Sequence, residues 1–254
     1  MANTVFNNKI IEAKAKDLLT TAVNTRNLMT VDNSLAAEAG MTKTINVYTY
    51  SGTAEELAAG EGNTNRGSIT YAGKDYTVKL VQQAFDYQDE DYMKDNTIVD
   101  NMIKGANQVM VNKMTADFVG ECAKATLSVA GGLSYDTIVD GIAKLNLEDE
   151  SGLFILTNVE GKAELRKDPD YVAARMGEVV YNGQVGAVAG IPVIVSKAVA
   201  DTYVMSKDAV KLFMKKDVEV EQERDADTRT NSVYLRTAYI VALEDATKIC
   251  KITD

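Results

Sequence analysis

If this chain carries out chemistry, its carboxylates are the first place to look. Acidic residues gather at Glu55-Glu56, Asp89-Glu90-Asp91, Glu148-Asp149-Glu150 and Asp225/Asp227. Paired acids can drive acid–base hydrolysis or hold a divalent ion. None of these groups has the glycine-centred spacing of a calcium loop, and each also reads as solvated surface. Asp225 and Asp227 are the pair that could hold an ion. Histidine is absent. That removes Ser-His-Asp and Cys-His nucleophile systems, histidine zinc sites and imidazole proton transfer. No S-x-x-K run supplies a serine with a base. The two cysteines, Cys122 and Cys250, form no C-x-x-C pair and read as reduced, partly buried thiols.

Three glycine-rich stretches test for phosphate binding, and all fail. In GQVGAVAGIPVIVS (183–196) the glycines precede a strand, whereas a dinucleotide fingerprint follows a strand and opens a helix. Gly183, Gly186 and Gly190 therefore read as a turn feeding a buried strand, with Pro192 near its start. Gly67 to Gly73-Lys74-Asp75 has one residue too many for a P-loop, and Asp75 stands where Ser or Thr is needed. GEGNTNRG (60–67) reads as a flexible loop. No catalytic residue, cofactor site or metal site is assigned.

Composition bounds the partners. The 254-residue chain carries a formal net charge of −10, so it lacks the cationic surface of a general nucleic-acid binder. The start, MANTVFNNKIIEAKAK, has no apolar core of a signal peptide. No run reaches the ~20 apolar residues of a membrane span. A cytosolic protein, or one assembled in a cytosol, is expected.

The elements come next. Residues 8–29 read as a helix with Ile11, Ala15, Leu18, Leu19 and Ala22 on one face, followed by a polar stretch at 30–41. TKTINVYTY (42–50) and 68–87 read as strands around a small, glycine-rich tip at 51–67. Ile45, Val47 and Thr49 share one face of this hairpin, and Tyr48 and Tyr50 the other. A lone two-stranded ribbon is marginal in water, so this one should lie on its own body or on a neighbouring copy. Residues 95–127 read as one long helix, about 45 Å, with an inward stripe through Val99, Met102, Ile103, Ala106, Val109, Met110, Met114, Phe118, Val119 and Cys122. A small α/β unit follows at about 130–200. It comprises a helix at 134–145 (Ile138, Ile142 and Leu145 inward), a strand at 153–156, a capped helix at 157–167 and a strand at 191–196. SKDAVKLFMKK (206–216) reads as helix. DVEVEQERDAD (217–227) reads as a strand with one acidic face, including Glu219, Glu221 and Glu223, and with Val218 and Val220 on the other. SVYLRTAYIVAL (232–243) reads as a central strand.

The order of these pieces resembles the major capsid protein of tailed double-stranded-DNA phages, the fold named after phage Hong Kong 97. SYDTIVDGIAKL followed by GLFILTNVEGKAELRKDPD is similar to the family's axial lobe. GQVGAVAGIPVIVS resembles its G-x-x-x-G-x-P-V-x-x-S stretch, and 217–249 resembles its closing strands. The resemblance implies an α+β fold. Its parts would be an N-terminal arm (1–42), an extended hairpin loop (43–80), a peripheral domain with the spine helix (81–130 and 201–254) and an axial domain (131–200). It also implies a structural, non-enzymatic protein. Pentamers and hexamers would tile an icosahedral shell around the genome, in a virion assembled in host cytoplasm. Expected partners are further copies, separate scaffolding, portal and decoration proteins, and non-specifically held DNA. No cofactor and no membrane are implied. Inter-subunit contact candidates are Glu55, Glu56, Glu61, Arg66, Lys74, Lys79, Glu219, Glu221, Glu223 and Arg236. Arg66, Lys74, Lys79 and Arg236 would be the basic counterparts of the acidic strand. The fused scaffolding segment of some members is not expected before this hairpin. A Lys–Asn crosslink cannot be placed, Lys74 being its nearest donor. Two other readings are an encapsulin-like bacterial compartment and an acidic metal-dependent hydrolase.

Overall fold

The computed structural model describes residues 25–37, 39–95, 97–174 and 186–253. Most of the expected helix at 8–29, and Gly183, lie outside them. The chain enters through a 3-10 turn, Thr25–Leu28, and then β1 (Thr30–Asp32), β2 (Thr42–Ser51), β3 (Ser68–Thr77) and β4 (Lys79–Gln88). Helices α1 (Asp89–Lys94) and α2 (Ile98–Cys122) lead to β5 (Leu127–Ala130). Then come α3 (Tyr135–Leu145), β6 (Leu153–Thr157), α4 (Val159–Lys167), α5 (Pro169–Ala174), β7 (Ala187–Val188) and β8 (Ile191–Val195). β9 (Thr202–Ser206), β10 (Val210–Asp225), β11 (Thr230–Leu243) and β12 (Ile249–Thr253) close the chain. The fold is α+β.

One body is a four-stranded sheet, β1-β10-β11-β4, carrying the spine helix α2 on one face. Helix α2 is uninterrupted because apolar residues recur every three or four positions and no proline breaks its ladder. Its 25 residues span about 37 Å. Val99, Ile103, Met110 and Val111 pack on Val218, Val220, Val233 and Leu235 from the sheet. The stripe differs from expectation at one position. Val109 is exposed and Val111 is buried instead, because Val109 sits one step round the helix, on its outer side.

Two readings of this region need correction. Residues 206–216 form no helix: 207–209 make a turn and Val210 opens β10. Lys, Leu and Met favour helix when isolated, but Val210, Leu212, Phe213 and Met214 are all buried, a near-continuous apolar run typical of a strand covered on both faces. Residues 25–29 are likewise a 3-10 turn and a bend. The polar stretch at 30–41 contains β1, which pairs in parallel with β10 through Val31↔Leu212.

The second body is a six-stranded sheet, β5-β12-β9-β6-β8-β7. It draws strands from 127–130, 202–206 and 249–253 as well as from the expected α/β unit. Helix α3 starts at a capping box: the Ser134 hydroxyl accepts from Thr137 N at 3.2 Å, and Ser134 N donates to Thr137 Oγ1 at 2.9 Å. Ile138, Leu145, Ile155, Leu165, Val204, Cys250 and Ile252 form the core beneath it. The glycine stretch proves to be a hairpin. β7 and β8 pair through Val188↔Ile191 around Ala189 (φ 49°) and Gly190 (φ 84°). Two successive positive φ values are those of a type I′ turn, which matches strand twist in two-residue hairpins.

Candidate assembly interface

The hairpin β2/β3 is the feature least supported by its own subunit. Its strands pair from Thr42↔Thr77 to Ser51↔Ser68. At the base, Ile45, Tyr76 and Val78 bury against Leu35, Phe213, Ala238, Ile240 and Ala242. Tyr76 Oη donates to the Leu243 carbonyl at 3.2 Å, and Val78 N donates to the Met41 carbonyl at 2.7 Å. Farther out the body stops supporting the ribbon. Val47, Tyr48, Tyr50, Ile69 and Tyr71 are all exposed.

A buried carboxylate secures the joint between hairpin and spine. Asp117, on α2, accepts from Lys79 Nζ at 2.8 Å, Lys113 Nζ at 3.1 Å and Tyr239 Oη at 3.0 Å. Burial alone would raise its pKa. The three donors together outweigh burial and hold the carboxyl below its ordinary value. Tyr239 moves the opposite way: burial first, then the Asp117 charge, raises its phenol. Lys79 is thus engaged within its own subunit. Asp117 escaped the sequence reading, although its i,i+4 spacing from Lys113 is visible there.

The remaining candidates divide by position. Glu55, Glu56 and Glu61 line a concave hairpin tip of about 550 Å³. Glu55 accepts from both Thr64 Oγ1 and Thr64 N at 2.8 Å, and these bonds, the side-chain one foremost, lower its pKa. Arg66 is exposed and makes no ion pair among the described residues. The Lys74 ammonium lies 5.1 Å from the Tyr76 ring centre, and its hydrogen bond with Tyr76 is the main cause of its raised pKa.

The acidic strand is β10 up to Asp225. Val218 and Val220 are buried, and Glu221 and Glu223 are exposed. Part of its charge is met in the same chain: Arg236 pairs with Glu221 at 2.8 Å and Lys216 with Glu219 at 2.6 Å. Arg236 also donates to Gln82 Oε1 at 2.7 Å. Asp227 lies in the turn after the strand, where its N–H donates to Asp225 Oδ1 at 2.9 Å. Both thiols are free and fully buried, and burial pushes Cys122 up to about 12.

A sheet-backed spine helix, an α/β lobe and a protruding hairpin make up a fold that superposes on solved shells. The capsid of the cyanophage P-SCSP1u superposes with a TM-score of 0.70 at 12% identity, covering 89% of this chain and 86% of that one. The chain has the fold of the tailed-phage major capsid proteins. A virus-like particle from Pyrococcus furiosus shares this capsid fold, with a TM-score of 0.68 at 10% identity over 98% of this chain and 100% of the other. In sequence, a major capsid protein of Staphylococcus phage phiMR11 is 26% identical over 231 residues, 88% of this chain and 84% of that protein. No family model matches the chain.

Proposed function

We propose that this chain is a structural shell subunit, copies of which assemble as pentamers and hexamers into an icosahedral capsid around a phage genome. The single observation that carries this reading is the likeness to the phage phiMR11 major capsid protein over nearly the whole chain. The capsid fold supports it independently. Within the shell, 1–42 acts as the arm and 43–80 as the loop crossing a neighbour. Residues 81–130 and 201–254 make the peripheral domain, and 131–200 the axial one. Arg66, exposed and without an ion pair among the described residues, meets the acidic strand of a neighbour at Glu219, Glu221 and Glu223, and the tip acids Glu55, Glu56 and Glu61 face that neighbour too. Scaffolding, portal and decoration proteins join during assembly in host cytoplasm, and DNA is held by confinement inside an acidic wall.

A second reading is an encapsulin-like compartment filled with protein, since the same fold also builds a virus-like particle from Pyrococcus furiosus. One experiment separates the two. Particles from the source cells, and the purified protein with and without its scaffold, are sedimented through a density gradient, imaged by negative-stain microscopy and assayed for nucleic acid. Closed uniform shells containing DNA are expected from infected cells. Shells that carry protein cargo and no genome would support the compartment. Small oligomers that persist even with scaffold would overturn both.

A further inference from the structure

The two faces of the hairpin differ in a way that assigns them different surroundings. The strand pairing places Asn46/Gly73, Tyr48/Tyr71 and Tyr50/Ile69 on one face, and Gly52 and Gly67, just beyond the paired strands, lie beside the Tyr50 ring. Lys43/Tyr76, Ile45/Lys74, Val47/Ala72, Thr49/Thr70 and Ser51/Ser68 occupy the other. The subunit's own body takes the second face, since Ile45 and Tyr76 are the hairpin side chains it buries. Toward the tip that face becomes small and hydroxylic.

The first face has no buried side chain and grows larger toward the tip, although Asn46 and Tyr48 also line an open cleft beside Lys124, Lys211 and Glu244 of the body. Tyr48 is 62% exposed, Tyr50 69%, Ile69 64% and Tyr71 72%. The Tyr48 and Tyr71 rings lie 6.2 Å apart. Tyr50 leans over Gly52 and Gly67, where a Cβ on either glycine would collide with its ring. The two glycines therefore leave the room in which the Tyr50 ring lies along the ribbon. At these exposures the four side chains offer roughly 500 Å². That is patch-sized for a functional surface, yet below the ~800 Å² per partner of a stable pairwise interface. Such a contact suits a repeated place in a closed assembly, where every copy gives its hairpin and receives one.

We infer that the Tyr48/Tyr50/Ile69/Tyr71 face is what a second copy of this chain covers in the shell, while Thr49 and Thr70 stay uncovered by that copy. The inference rests on the shell reading and adds which face makes the contact. Aromatic residues well placed at interfaces carry most of the association energy, so a charge there is costly while the subunit's own core is untouched.

The test compares like charges on opposite faces. Tyr48→Lys and Tyr71→Lys are set against Thr49→Lys and Thr70→Lys, with circular dichroism of unassembled subunits as the folding check. The tyrosine variants should lower the assembled fraction about tenfold or more, and the threonine variants by less than about twofold. Nitration by tetranitromethane, mapped by mass spectrometry, should modify Tyr48 and Tyr71 in dissociated subunits and spare them in intact wild-type shells. Tyrosine variants that assemble like wild type, threonine variants that fail equally, or shells with Tyr48 and Tyr71 open to nitration would each overturn the assignment. If wild type makes no shells even with scaffold, the shell reading itself fails and takes this inference with it.

Discussion

Replacing Asp117 with Asn tests whether this carboxylate secures the joint between hairpin and spine. The Asp117 side chain is 8% exposed, while those of Lys79 and Lys113 are 53% and 52% exposed. The lysines can therefore turn to water when the charge goes, and each contact is worth about 0.5–1 kcal/mol after screening. Tyr239 has no such escape, because its ring is fully buried. Its bond to a charged acceptor is worth about 1.5–2 kcal/mol. Allowing for the one bond an amide oxygen keeps, Asp117→Asn should cost about 2–3 kcal/mol, or roughly 5–10 °C in the unfolding midpoint of unassembled subunits. The pH dependence supplies a second check. Because the native pKa lies below the unfolded one, the Asp117 contribution is fully present above the ordinary carboxylate range. It is lost as pH falls through the native value. The gap between wild type and variant should therefore narrow below about pH 4. Urea titrations of both proteins at pH 7 and in acid give these numbers, with Tyr239→Phe as a control that leaves the lysine pairs intact. A gap below about 0.5 kcal/mol at neutral pH, or one that does not shrink in acid, would refute the reasoning.

Three further outcomes are expected. Phe118→Ala empties a fully buried position where α2 meets the core, and should destabilise the subunit by about 3–5 kcal/mol in urea unfolding. Gly190→Val forces a β-branched residue to φ 84° in the β7/β8 turn, and should cost about 1–2 kcal/mol, read from the thermal midpoint. Cys122, fully buried and shifted to about 12, should resist iodoacetamide at pH 8 in the native subunit and label fully in urea.

The sequence was most informative where local chemistry and tertiary setting agree. The alternation through Ile45, Val47 and Thr49, closed by a glycine-rich tip, marks the hairpin. The apolar spacing along α2, and that of Ile138, Ile142 and Leu145, mark two helices. Where burial overrides propensity the reading failed. Residues 210–214 look helical alone and become a strand only because β1 and β11 flank them. β1 was hidden in a polar stretch because its pairing partner lies about 180 positions away. The same limit governs the interface. Exposed tyrosines on the ribbon were visible, since their face follows from counting by two. Asp117 was not, since Lys79 and Tyr239 reach it from distant elements and no spacing rule joins the three. The in-chain pairing of Arg236 with Glu221 likewise depends on the register of β10 against β11.

The place of β12 has a consequence for how the protein is made. β12 sits between β5 and β9, and the Thr253 hydroxyl reaches back to the Val129 carbonyl across 124 positions. At 5–20 residues per second, a ribosome makes β5 roughly 6–25 s before β12 exists to pair with it. The hairpin is made earlier still, and most of the residues that back its base, Phe213, Ala238, Ile240 and Ala242, follow only shortly before β12. The nascent chain therefore displays its aromatic ribbon long before the six-stranded sheet can close. During that interval, at high polysome density, neighbouring chains meet ribbon first. Keeping them apart until the last strand docks is a task for chaperones or for a scaffold, and slowing translation before 249 should raise the aggregated fraction.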